Sequence, residues 1–236
     1  MKKKAIVFGA TGYTGREVVR ILAEQGVETI AHVRPDSSRG EEWRERFESQ
    51  SARVDRSPWE LSALESLLGE EAPDGVFFLI GTTRKRDQAS EADESYEAID
   101  YGLCQLVVDA CVSSGQAPLF VYLSAMGVRP GSPSAYYKAR WKAEEAVRGS
   151  GLPAILARPG MITGPGRDDP RPLERLGGAL ADVAAGGLRL LGAKRTADRW
   201  ASTDNTELAT ALVGLYLGGE ARGAVEAEDL KGWELH

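Results

Sequence analysis

Short apolar runs alternate with longer amphipathic segments along the first two thirds of the chain. Residues 4–9 (KAIVFG) read as a buried strand. A glycine turn follows, and residues 13–25 predict a helix with Val18, Val19, Ile21 and Leu22 inward. Residues 27–34 form a second strand, 41–50 a charged, weakly helical stretch, 52–55 a short strand and 60–68 a helix. The fully apolar run 76–80 ends in Gly81. Residues 93–114 predict a long helix, with Ile99, Leu103, Leu106, Val107 and Ala110 at helical spacing. A strand over 119–123, a helix over 135–148 and a sixth strand over 152–157 complete the pattern. Strands apolar on both faces, separated by helices, imply a parallel sheet covered on both sides. The expected fold class is therefore α/β, a doubly wound, mostly parallel sheet of six or seven strands.

The last third differs. Residues 163–172 (TGPGRDDPRP) are too rich in Gly and Pro for a regular element and predict a loop. A helix near 173–185 and a short strand at 188–191 follow. Asp204, with Glu207 three residues later, resembles a capping box that opens a helix through Leu217. With no repeat and no linker, residues 1–236 read as a single domain, to which 160–236 add a small substrate cap.

Composition narrows the function classes. The 236 residues include 29 Lys and Arg against 35 Asp and Glu, a net charge of −6, so no global basic field for nucleic acid exists. The run behind Met1-Lys2-Lys3-Lys4 is too short for a secretory signal, and no stretch has the length of a membrane span. Cys104 and Cys111 lie seven apart in a helical stretch. That spacing is about 10.5 Å of rise, beyond disulfide reach, and fits a reduced, cytoplasmic setting. The only histidines, His32 and His236, disfavour a His-based metal site. The expected partner is a small-molecule substrate, with a protein partner if the role is regulatory.

The chemistry starts at Gly9-Ala10-Thr11-Gly12-Tyr13-Thr14-Gly15, which follows a strand and opens a helix. Gly9 permits the tight turn, Gly12 lets the backbone approach a pyrophosphate, and Gly15 packs helix on strand. The free N–H groups of the helix N-terminus then face the phosphates. Strand two ends in Arg34, with Ser37, Ser38 and Arg39 just beyond. A guanidinium there accommodates the 2′-phosphate of NADP, whereas Asp36 fits the ribose hydroxyl of NAD. NADP is the expected cofactor, NAD the alternative.

The spacing Gly-x-x-Gly-x-x-Gly resembles that of the short-chain dehydrogenase/reductase superfamily, in particular its extended and atypical branches. Leu79-Ile80-Gly81-Thr82-Thr83-Arg84 looks like the strand-four cofactor loop of the atypical NAD(P)H-binding proteins related to the HIV-Tat-interacting protein and the nitrogen-metabolite-repression proteins. Leu123-Ser124-Ala125-Met126-Gly127 resembles their strand-five serine segment. Arg158-Pro159-Gly160, followed by Gly164-Pro165-Gly166, resembles the loop that closes over nicotinamide. The resemblance implies that Gly9, Thr11, Gly12, Tyr13, Thr14, Gly15, Arg34, Arg39, Asp55, Gly81, Thr82, Thr83, Pro159 and Gly160 hold the cofactor, with Asp55 near adenine.

Reductases of this superfamily use a Ser, a Tyr and a Lys, the last two four apart on one helix face. The matching positions here are Ser124, Tyr136 and Arg140, so arginine replaces lysine. Arginine keeps its charge but cannot act as a titrating relay. Three readings follow from the resemblance. The chain is an NADP-dependent oxidoreductase acting on a small carbonyl or quinone compound through Ser124 and Tyr136, an NADP(H)-binding redox sensor with weak or no turnover, or a nucleotide-sugar epimerase or dehydratase.

Overall fold

The computed structural model describes residues 2–81, 97–164 and 194–235. Seven strands form one sheet: β1 (Lys4–Phe8), β2 (Glu28–His32), β3 (Arg53–Asp55), β4 (Gly75–Phe78), β5 (Leu119–Leu123), β6 (Ala154–Arg158) and β9 (Gly223–Glu226). Their order is β3-β2-β1-β4-β5-β6-β9. Every neighbouring pair is parallel, from Ile30↔Arg53 at one edge to Arg158↔Glu226 at the other. The order reverses between β1 and β4, so the crevice that a doubly wound sheet offers to a ligand opens there, beyond the carboxyl ends of the strands.

Strand side chains alternate between two layers, and both layers are dry. Ala5, Val7, Phe77, Val121 and Ile155 face helices α1 (Tyr13–Glu24) and α2 (Gly40–Ser49). Ile6, Phe8, Val76, Phe78, Phe120 and Tyr122 face α3 (Leu61–Glu71), α4 (Leu103–Ser113) and α5 (Ala135–Gly149). Ala5, Ile6, Val7 and Phe8 are wholly buried, which is why β1 reads as an unbroken apolar run instead of an alternating one.

Three features depart from the sequence pattern. The segment expected as the start of a long helix contains a π-helical stretch, Glu97–Gly102, that runs into α4. Its wider turn brings Ile99 and the adjacent Asp100 inward together. Strand β9 carries one well-buried apolar side chain, Val225, and so gives too weak a pattern to read. A second, two-stranded parallel pair joins β7 (Ile162–Thr163) to β8 (Thr203–Asp204).

In the C-terminal third, α6 (Lys194–Trp200) precedes β8, and α7 (Asn205–Gly218) opens as its capping signal predicts. The Asp204 carboxylate accepts from the Glu207 amide at 2.9 Å. Helix α7 packs on α1 in the first layer, and β9 lengthens the main sheet. The expected helix near 173–185 and strand at 188–191 lie outside the described residues, as does most of the loop 163–172.

Candidate functional site

The glycine turn sits at the carboxyl end of β1, beside the switch point. The Gly12 amide donates to the Gly9 carbonyl at 2.9 Å, closing a tight turn that holds Gly9 at φ +86°. A Cβ on Gly9 would stand 2.9 Å from the Leu79 carbonyl carbon on β4's exit, and one on Gly15 would run into the Gly9 carbonyl oxygen. Those two glycines are explained by packing. Gly12 is not: it is exposed, and among the described residues a Cβ there would meet only the Gly9 oxygen, at 3.1 Å. Helix α1 starts at this open face with no side-chain cap at its N-terminus and no acidic residue in its first turn. An uncapped helix start aimed past a bare backbone fits an anionic group such as a pyrophosphate.

The turn also touches the C-terminal third. The Tyr13 hydroxyl donates to the Thr163 carbonyl at 3.3 Å, and Asn205 Nδ2 donates to the Tyr13 carbonyl at 2.8 Å. Thr14 is buried against the core, and Thr11 is half-buried at the turn.

Beyond β2, the chain forms a polar loop. Ser37, Ser38, Arg39, Glu42 and Arg56 line a depression of about 330 Å³ at the N-terminus of α2. Arg39 forms a fork with Glu42 at 2.5 and 2.7 Å and lies 4.9 Å over the Trp43 ring. Arg34 is half-exposed, 3.8 Å from Asp36. These pairs are at the surface, where an ion pair contributes at most about 1 kcal/mol, so a phosphate can compete for the guanidinium groups. Asp55 ends β3 by accepting from the Ser57 amide at 3.1 Å and its hydroxyl at 2.8 Å, closing a local turn. His32 lies 3.8 Å from it, and burial holds its imidazole below the ordinary histidine pKa.

Helix α5 brings the chemistry-bearing residues to the ends of β4, β5 and β6. Tyr136, Arg140 and Glu144 are spaced by four and share one face. Arg140, 5% exposed, pairs with wholly buried Asp100 at 2.9 Å and donates to the Leu123 carbonyl at the end of β5. Its guanidinium lies over the rings of Tyr136, at 5.3 Å, and Tyr122, at 5.8 Å. Gly81, at the exit of β4, leaves room for it: a Cβ there would run into the guanidinium. Burial works against the Arg140 charge, but the surrounding Tyr136, Tyr122 and Asp100 groups raise its pKa, so it stays a cation.

Ser124 does not face an open site. It is 4% exposed, and its hydroxyl donates to Glu144 Oε1 at 2.5 Å. Glu144 also accepts from Arg158 at 2.8 and 2.6 Å and from Arg148 at 2.7 Å, and Arg158 reaches on to Glu226 at 2.9 Å. Burial pushes the Glu144 carboxyl up, but the hydrogen bonds from Arg158 and Ser124 outweigh it and hold the pKa below the usual range. The Ser124 hydroxyl, expected to orient substrate, is in this geometry engaged by Glu144. Tyr136 is half-buried, with its ring 5.2 Å from that of Tyr137.

Because all strands run parallel, Gly9, Gly81, Ser124 and the Pro159-Gly160 segment lie at one end of the sheet. The Pro159 carbonyl accepts from the Met126 amide at 2.9 Å, tying the loops after β5 and β6 together. Thr82 and Thr83 lie outside the described residues. Asp100 and Glu144, which the sequence pattern did not single out, hold the buried Arg140 and the partly buried Arg158. The readable signal was Arg140 itself: a cation on the inward face of a helix requires a buried carboxylate. No described group of His, Cys, Asp and Glu is arranged to hold a metal ion.

The sequence model of a family described as NAD(P)H-binding matches residues 9–191, and the chain belongs to that family. Comparison with the curated proteins gives no match. Among solved structures, the chain is similar to a UDP-glucuronic acid 4-epimerase from Bacillus cereus in complex with UDP-glucuronic acid and NAD. The TM-score is 0.67 at 14% identity, covering 98% of this chain and 78% of that one. It is similar also to a UDP-glucose 4-epimerase from Brucella ovis in complex with NAD, with TM-score 0.66, 15% identity and coverage of 96% and 78%. A UDP-Glc/GlcNAc 4-epimerase from Campylobacter jejuni gives 0.67 at 13% identity, with 97% and 81% covered. Likeness at these identities establishes a shared fold.

Proposed function

We propose that this member of the NAD(P)H-binding family holds NADP(H) across the carboxyl ends of β1, β4, β5 and β6 and exchanges a hydride with a small carbonyl or quinone compound. The observation that carries the reading is the uncapped start of α1 behind the open face of Gly12. The dinucleotide supplies the hydride. The α1 amides hold its phosphates, and Arg34, Ser37, Ser38 and Arg39 favour a 2′-phosphate, hence NADP over NAD.

Tyr136 supplies the hydroxyl that gives a proton to, or takes one from, the substrate oxygen. Arg140, one turn away, holds positive charge beside it. Since a guanidinium does not release its proton, Tyr136 must exchange its own with solvent and not through residue 140. Calorimetric titration with NADPH, NADP, NADH and NAD, followed by a carbonyl and quinone screen, tests the reading. NADPH binding with turnover abolished in Tyr136→Phe is expected. Turnover untouched by that change removes the site assignment, and absence of dinucleotide binding removes the reading altogether.

A second reading is an NADP(H)-binding sensor with little turnover. The engagement of Ser124 by Glu144 and of Arg140 by Asp100 favours it, since both groups are already spent on the protein. It predicts binding with no turnover in the same screen. The epimerase reading draws on the nucleotide-sugar enzymes among the structural neighbours, a likeness of fold alone.

A further inference from the structure

Two consecutive residues at the end of β5 are bound by two residues one turn apart on α5. The Leu123 carbonyl accepts from Arg140, and the Ser124 hydroxyl donates to Glu144 at 2.5 Å. Behind each bond stands a second charge: Asp100 holds Arg140 at 2.9 Å, and Arg158 of β6 holds Glu144 at 2.6 Å. Asp100 and Glu144 are wholly buried. Helix α5 is thus pinned at two heights to the end of β5, with ties to the π-helical stretch on one side and to β6 on the other. Tyr136 is the next residue along the same face, one turn before Arg140.

We propose that Asp100 and Glu144 are positioning residues. Through Arg140 and Ser124 they form a two-point staple that fixes the register of α5 on β5 and so sets the place of the Tyr136 hydroxyl. Ser124 is a link in this staple and does not touch substrate. The assignment rests on the reading that Tyr136 faces bound dinucleotide. It differs from the family pattern in which the serine hydroxyl orients the substrate oxygen, because here that hydroxyl has one buried carboxylate as its partner and no open face. A free lysine ammonium at residue 140 would be a single flexible point charge. The planar guanidinium bridges two elements at once, gripping the Leu123 carbonyl and the Asp100 carboxylate.

The test is a double-mutant cycle on the intact chain with Ser124→Ala, Glu144→Leu and the pair, read by urea unfolding, by NADPH affinity and by steady-state kinetics. A staple predicts that each single change lowers the unfolding midpoint and that the pair loses clearly less than the sum of the two. NADPH affinity should stay within about twofold of wild type. The kcat should fall by about tenfold or less, with KM unchanged, because Tyr136 is displaced while binding is kept; Ser124→Thr, which keeps the hydroxyl, should restore it. A kcat loss of a hundredfold or more in Ser124→Ala with an unchanged midpoint makes Ser124 a reacting group and overturns the proposal. So do additive stability losses, which would mean that the two residues are not coupled. If wild type binds no dinucleotide, the parent reading fails by itself, and the unfolding cycle alone decides the staple. Should Glu144→Leu not fold, the Ser124→Ala and Ser124→Thr comparison keeps both readouts.

Discussion

Replacing Asp100 by Asn isolates what the buried pair contributes. Asparagine has the same shape and still offers an oxygen to the Arg140 guanidinium, so the change removes charge and little else. Arg140 would then remain a cation that is 5% exposed, with the Leu123 carbonyl and the faces of Tyr122 and Tyr136 as its surroundings. Among the described residues its Nε already lacks a hydrogen-bond partner. Breaking a buried pair by removing one partner costs about 3–5 kcal/mol, because the other charge is left uncompensated. For a chain of this size each kcal/mol lowers Tm by about 2–4 °C, so Asp100→Asn should lower it by about 6–20 °C. The loss should be nearly the same in low and high salt, since mobile ions do not reach the pair.

The companion variant, Asp100→Leu with Arg140→Met, removes both charges and puts apolar side chains of similar length in their place. It should recover most of the lost stability, because a buried pair and a well-packed apolar replacement are close in free energy. Urea unfolding followed by tryptophan fluorescence, in 0.05 and 1 M salt, measures each value. A loss below about 1 kcal/mol for Asp100→Asn, or a double variant no better than the single one, would refute the reasoning: the charge would then be solvated, not buried.

Three further expectations are independent of that pair. Gly12→Val should fold, since among the described residues its Cβ meets one oxygen at 3.1 Å and nothing else, yet lose NADPH affinity by at least tenfold in calorimetry; unchanged affinity would place the ligand elsewhere. Arg34→Ala should weaken NADPH by about 1–3 kcal/mol and leave NADH nearly unaffected, and equal losses for both would reject a 2′-phosphate contact. His32 is held neutral by burial, with its folded pKa below its unfolded one. On going below pH 6.5 the unfolded chain therefore binds a proton that the folded chain refuses. Stability contributed above that pH is lost as pH falls towards the folded pKa, by at most about 1.4 kcal/mol per pH unit for this group. His32→Phe, packed against Phe8 and Trp59, should flatten that slope in urea unfolding between pH 7.5 and 5; parallel slopes would assign the acid sensitivity to other groups.

The alternation of apolar runs and amphipathic segments determined the parallel sheet, because strands buried on both faces must be apolar at every position and helices must carry one apolar stripe. The glycine turn was equally readable: two of its three glycines are demanded by local geometry, a positive φ at Gly9 and helix-on-strand packing at Gly15, while Gly12 leaves an open backbone face that folding alone does not require. The Asp204 cap, a bond over three residues, was local as well. What local pattern could not decide was which partners the polar residues meet. Ser124 and Glu144 are 20 apart, Asp100 and Arg140 are 40 apart, and Arg158 reaches Glu226 across 68 residues. Such pairs depend on where β5, β6 and α5 are placed by packing, and on the π-helical stretch that brings Asp100 inward beside Ile99. The same serine and arginine that read as reacting groups by spacing are drawn into a buried hydrogen bond and a buried ion pair, because a carboxylate or guanidinium inside the protein must be met by donors or opposite charge wherever the fold supplies them. Strand β9 was decided by tertiary structure for a parallel reason: a short edge strand with one buried side chain owes its existence to the hydrogen bonds offered by β6, not to its own sequence.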